Sequence, residues 1–172
     1  MDPIYKSIAS NKRWTYFFFL LYAVLIGVIG YFIGIYIGSP LLGLILAAIL
    51  FVIIMLVTYY GGQNLVTTMA GAREISKHES PYLYNTVEGL SIAAGLPMPK
   101  LYIIDTEVPN AFAAGRNPEN ASITVTRGLL EMLDRLELEG VIAHEMAHIR
   151  NYDVLLATVA VVLAGTIVFL GY

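Results

Sequence analysis

No cysteine occurs among the 172 residues. A disulfide framework and a thiolate metal site are therefore excluded, and a reducing compartment suits the chain. Charge is also scarce. Asp, Glu, Lys and Arg make up 13% of the sequence, where a soluble domain carries about 25%. The deficit is local: no charged residue occurs from Trp14 to Ala72, and none from Val154 to Tyr172. Nearly all the charge lies between Arg73 and Asp153. The net charge of −3 is too small to imply a strongly acidic or basic partner. No basic stripe or zinc-finger spacing points to nucleic acid. The apolar runs hold no ionisable residue of the kind that lines an ion or substrate pathway, which argues against a transporter.

What is present begins with two long apolar runs. Trp14 to Ile37 gives a helix of about 36 Å and Leu41 to Tyr60 one of about 30 Å, against a hydrocarbon core of about 30 Å. Gly38-Ser39-Pro40 separates them. Trp14 and Tyr16 at one end, and Tyr59 and Tyr60 at the other, suit interfacial aromatic belts. A signal peptide has an apolar core of only about 7–15 residues, and a core helix of a soluble protein rarely stays uncharged on every face. The runs are read as a membrane hairpin in a lipid bilayer. Lys6, Lys12 and Arg13 precede it, Arg73 and Lys77 follow it, and the connection is uncharged. The positive-inside rule then puts residues 1–13 and the segment after Tyr60 in the cytoplasm.

The charged region reads as a mixed α and β domain. Gly61-Gly62 is expected to break the second helix, with a polar exit over residues 61–79. Ser80-Pro81 opens a helix that stops at Gly95. Lys100 to Asp105 and Ala121 to Thr126 read as strands. Pro109 to Phe112 leads to an edge strand, and Thr126 or Gly128 opens a short helix. Asp134 with Glu137 three residues later forms a capping box for a further helix.

That last helix carries His144-Glu145-Met146-Ala147-His148. Residues i and i+4 share a helix face, so His144 and His148 can present both imidazoles to one tetrahedral zinc ion. Glu145 is rotated off that face but close to the ion's open position, where it can accept a proton from water activated by the metal. This is the physical content of H-E-x-x-H. The flanking positions are uncharged, and two of the chain's three histidines lie in the motif. The third, His78, reads as a solvated residue. Asp105, Glu107, Glu119, Glu131, Asp134, Glu137 and Glu139 read as solvated faces and caps. Asp153 has two readings: it orients a ligand histidine, or it marks the water boundary before the next apolar run.

Three segments carry a resemblance: AGLPMPKLYIID at 94–105, PNAFAAGRNPENASITVTRGLLE at 109–131 and LELEGVIAHEMAHIRNYD at 136–153. Together with the two N-terminal runs they resemble the HtpX-type membrane zinc metallopeptidases, relatives of the prenyl-protein endopeptidases. The resemblance implies a zinc-dependent endopeptidase with a cytoplasmic gluzincin-type catalytic domain, acting on membrane or membrane-adjacent proteins in quality control at the plasma membrane. His144 and His148 match the family's histidine ligands, and Glu145 its general base. Asn110, Ala111 and Phe112 match an edge beside the cleft, where an extended substrate can pair. The family's third ligand is a glutamate on a later helix, and after Asp153 this chain has no acidic residue. A truncated peptidase is expected; the alternative is a non-catalytic membrane protein.

The expected fold is mainly α: a transmembrane helical hairpin (14–60), an incomplete zincin-like α+β peptidase domain (61–153) and a third apolar helix (154–172) that spans the membrane. Residues 1–13 form a cytoplasmic N-terminus. The oligomeric state is not encoded in any feature of the sequence.

Overall fold

The computed structural model describes residues 3–170; Met1, Asp2, Gly171 and Tyr172, the extremes of the expected N-terminal segment and third span, lie outside them. The first helix, α1, covers Pro3–Tyr36, and α2 covers Pro40–Met69. Both are long and apolar enough to cross a membrane, and the chain is a membrane protein. Their packing is inverted relative to a soluble helix. On α2 the buried residues are small or hydroxylated: Gly43, Ala47, Thr58, Gly62 and Thr67. Many large residues point outward; Leu41 is 69% exposed and Phe32 of α1 is 64% exposed. Small residues let two helix backbones approach closely where lipid removes the hydrophobic drive for association. A Cβ on Gly43 would stand 2.2 Å from the Gly30 carbonyl oxygen and 2.6 Å from Gly34 Cα.

One expectation fails at Gly61-Gly62, where α2 continues unbroken to Met69. Glycine weakens a helix by about 1 kcal/mol relative to alanine but does not end it. Here Gly62 faces a neighbour so close that a Cβ would lie 2.8 Å from Thr158 Cγ2. The expected polar exit stays helical only to Met69, with the Thr67 hydroxyl donating to the carbonyls of Gln63 and Asn64 at 3.1 and 3.0 Å.

The domain follows. A two-residue strand β1 (Arg73–Glu74), absent from the sequence reading, pairs antiparallel with β2 (Lys100–Ile104). Between them α3 (Pro81–Ala94) starts after Ser80 and ends on Gly95 at φ 65°, as its turn chemistry dictates. β3 (Ala111–Asn117) and β4 (Asn120–Thr126) form a hairpin, and the sheet order is β1-β2-β4-β3 with β2 and β4 parallel. The short helix α4 (Arg127–Met132) is capped by the Thr126 hydroxyl, which accepts from the Leu129 amide. Then α5 (Arg135–Asn151) opens on a complete Asp134–Glu137 capping box.

Ile123, Val125, Leu83, Val87, Leu138 and Ile142 are fully or almost fully buried in one core between the sheet, α3 and α5. Each such side chain contributes about 1.5–3 kcal/mol of burial. Tyr152 caps α5 in the left-handed region, φ 61°, and the chain turns by 86° into α6 (Asp153–Leu170). Leu155, Val159 and Leu163 of α6 join Tyr22 and Ile26 of α1 and Ala47 of α2 in a second core.

Candidate metal centre

Two elements meet at the site. β3 is the edge of the sheet, and α5 packs against it. The register of β3 on β4 decides which backbone groups remain free. The Thr126 amide donates to the Asn110 carbonyl at 3.0 Å, so by the alternation of an antiparallel ladder residues 111, 113 and 115 turn their amides to the open edge. One of these, the Ala113 amide, faces the Glu145 carboxylate and favours its charged form. Another, that of Gly115, donates to the buried Thr158 hydroxyl of α6 at 3.0 Å. The edge strand thus packs against both α5 and α6.

On α5 the helical repeat brings His144 and His148 together. Their Nε2 atoms are 3.1 Å apart and the rings cross at 87°. Two nitrogens bound to one tetrahedral zinc at about 2.0–2.1 Å lie about 3.3 Å apart, so the spacing fits a shared ion. His148 Nδ1 lies 2.9 Å from Asp153 Oδ2. That contact places the proton on Nδ1 and leaves Nε2 with its lone pair free, the tautomer a metal requires. Asp153 therefore makes the contact with His148 that the orienting reading requires. The carboxylate is itself held. Its Oδ1 accepts from the Asn11 amide of α1, which also donates to the Asn151 carbonyl at 3.1 Å.

Glu145 is half-buried. Burial pushes its carboxyl above the ordinary range, while His148, His144 and the Ala113 amide pull it back. A carboxylate raised in this way is a better proton acceptor near neutrality; a bound cation opposes the shift. The two imidazoles, backed by Asp153, fit as ligands. Among the described residues no group of three or more His, Cys, Asp or Glu converges to complete a metal site.

Other sequence candidates stand apart. His78 is exposed, as expected. Asp105 sits on the surface between Arg127 at 2.5 Å and Arg73 at 3.6 Å, and the Arg127 guanidinium holds its carboxyl below the usual range. Asn110 is placed at the start of the edge, with its amide donating to the Thr126 hydroxyl at 2.8 Å. Asn11 and Thr158 were not legible as site-supporting residues. Their partners lie 142 and 43 residues away, and neither belongs to a local motif.

A family model described as Peptidase family M48 matches residues 77–172. A protein named Protease HtpX homolog from Dictyoglomus turgidum is 49% identical over 97% of this chain and 55% of its own length. Proteins of the same name from Streptococcus gordonii (43% identical, 98% of this chain, 57% of theirs) and Listeria monocytogenes (45%, 98% and 56%) are similar throughout. The chain spans a little over half the length of these curated relatives.

Proposed function

This chain belongs to peptidase family M48, and from that premise we propose that it carries the membrane anchor and metal-binding helix of a zinc-dependent endopeptidase. The observation that bears most weight is the convergence of His144 and His148 Nε2 at 3.1 Å, backed by Asp153 on the far nitrogen of His148. In this reading His144 and His148 hold the ion. When bound, zinc supplies Lewis acidity, polarising the scissile carbonyl and lowering the pKa of water. Glu145 takes the proton of the attacking water and delivers it to the departing amine. The open edge of β3 near Ala111 pairs with the backbone of an extended substrate.

The same reading makes the protein multi-pass, with residues 1–13 and 61–153 in the cytoplasm and α6 as a third membrane helix. Lys and Arg flank only that side of the hairpin. α6 is uncharged after Asp153 and packs on both α1 and α2. An active helix joined this directly to membrane helices suits substrates that are membrane proteins or lie beside them. Membrane-protein quality control at the plasma membrane is the role the resemblance implies. The full-length protein is expected to purify with about one zinc per chain. Replacing His144 and His148 together with alanine should abolish it. Full metal content in that variant would remove the proposed ligands.

A second reading concerns the 172 residues alone. Two imidazoles with no third described donor hold zinc weakly, because a catalytic site takes three protein ligands. Zinc titration of the purified chain tests this. Tight stoichiometric binding with chelator-sensitive proteolysis would contradict it.

A further inference from the structure

A cleft of about 690 Å³ opens between α1, α2, the β3–β4 hairpin and the α5–α6 corner. It stands at the end of the two apolar helices that carries the domain. Its lining is divided. Phe19, Met55, Leu56 and Leu155 form an apolar wall, and two of them, Met55 and Leu56, belong to the lipid-facing length of α2. Lys12 and Arg116 form a cationic wall on the side toward the domain.

Among the described residues neither cation forms an ion pair with a carboxylate. Lys12 Nζ sits 4.3 Å from the centre of the Tyr152 ring. The Arg116 guanidinium sits 4.7 Å from the ring centre of Tyr60 and 5.5 Å from that of Tyr59. Every described ion pair involves other residues, and no carboxylate lines the cleft. Aromatic faces hold a cation in place but do not neutralise it. Two positive charges therefore face one amphipathic cavity at the level of the aromatic belt, where Trp14, Tyr59 and Tyr60 mark the interface.

We propose that this cleft binds one anionic phospholipid of the adjoining leaflet, its phosphate between Lys12 and Arg116 and its first acyl carbons on Phe19, Met55 and Leu56. Charge complementarity selects an anion. The apolar wall, continuous with the membrane face of α2, selects one that carries chains. The volume lies within the range of lined ligand sites, about 300–1,000 Å³. A free phosphate would leave the apolar wall bare. His144, Glu145 and His148 are not among the residues that line the cleft.

The single tryptophan, Trp14, is not among the residues that line the cleft, so occupancy is read from a tryptophan placed in the lining by F19W in a W14F background that otherwise keeps the wild-type sequence and serves as wild type. The chain is reconstituted into vesicles of phosphatidylcholine and phosphatidylglycerol, with one or the other brominated, and quenching of that tryptophan gives the relative affinity for each. The wild type should prefer phosphatidylglycerol by about tenfold, since each basic residue at an anionic surface contributes measurably. K12Q/R116Q should reduce the preference to near unity with unchanged helical circular dichroism. K77Q/R135Q, which removes the same charge elsewhere, should keep it. Equal quenching by the two lipids in the wild type would overturn the proposal, as would a preference that survives K12Q/R116Q or disappears equally in K77Q/R135Q. Loss of the preference on adding millimolar inorganic phosphate, at an ionic strength matched with chloride, would reassign the cleft to a soluble phosphate and overturn the lipid assignment.

Discussion

His148 has a different partner on each ring nitrogen, and the division of labour between them is the most informative feature at the scale of single residues. Nε2 points at His144, while Nδ1 is tied to Asp153 and through it to Asn11. D153N should therefore lower the zinc affinity of the full-length protein by about 10–100-fold with the fold intact, and N11A should lower it less. Competitive chelator titration measures both. Unchanged affinity in D153N would mean that the contact only marks the corner between α5 and α6. The motif itself was legible because its geometry is local: i and i+4 on a helix meet whatever the fold. Asp153 was half-legible, since five residues past His148 can lie near it or not depending on how the helix ends. Tyr152 in the left-handed region supplies the turn that brings it back. Asn11 had no signal, because nothing local links it to a residue 142 positions away.

The same contrast holds at the scale of elements. The Asp134–Glu137 box, the Ser80–Pro81 start and the Gly95 stop were readable because caps are set by neighbouring residues. β1 was not, since two exposed residues, Arg73 and Glu74, have no periodicity and become a strand only by pairing with Ile103 and Tyr102. Glycines were the hardest to read. Gly61-Gly62 carries a stop signal but lies inside a helix, and the Gly30-x-x-x-Gly34 spacing lets α1 approach Gly43 of α2 closely. G43L should test that contact. A side chain there meets the Gly30 carbonyl and Gly34 backbone, so the hairpin must part, at a cost of about 1–3 kcal/mol or more. Its thermal midpoint in detergent should fall well below that of G27L, whose added Cβ meets nothing within 4 Å. Equal midpoints for the two would show that α1 and α2 do not depend on this approach.

At the scale of the whole molecule, the proposed function assigns the orientation to charge placement and the chemistry to the metal centre. If residues 1–13 and 61–153 share the cytoplasm, cysteines placed at positions 6 and 100 should resist a membrane-impermeant reagent in intact cells and react after lysis. Labelling of both in intact cells would invert the protein. The two roles on α5 separate in one paired measurement on the full-length protein, zinc content and peptide hydrolysis in E145Q. Gln keeps the size and the Ala113 contact but accepts no proton. If His144 and His148 hold the ion and Glu145 moves the proton, E145Q retains about one zinc per chain while hydrolysis falls by about 10²–10⁴-fold. Hydrolysis at the wild-type rate with zinc retained, or loss of the metal along with activity, would contradict that assignment.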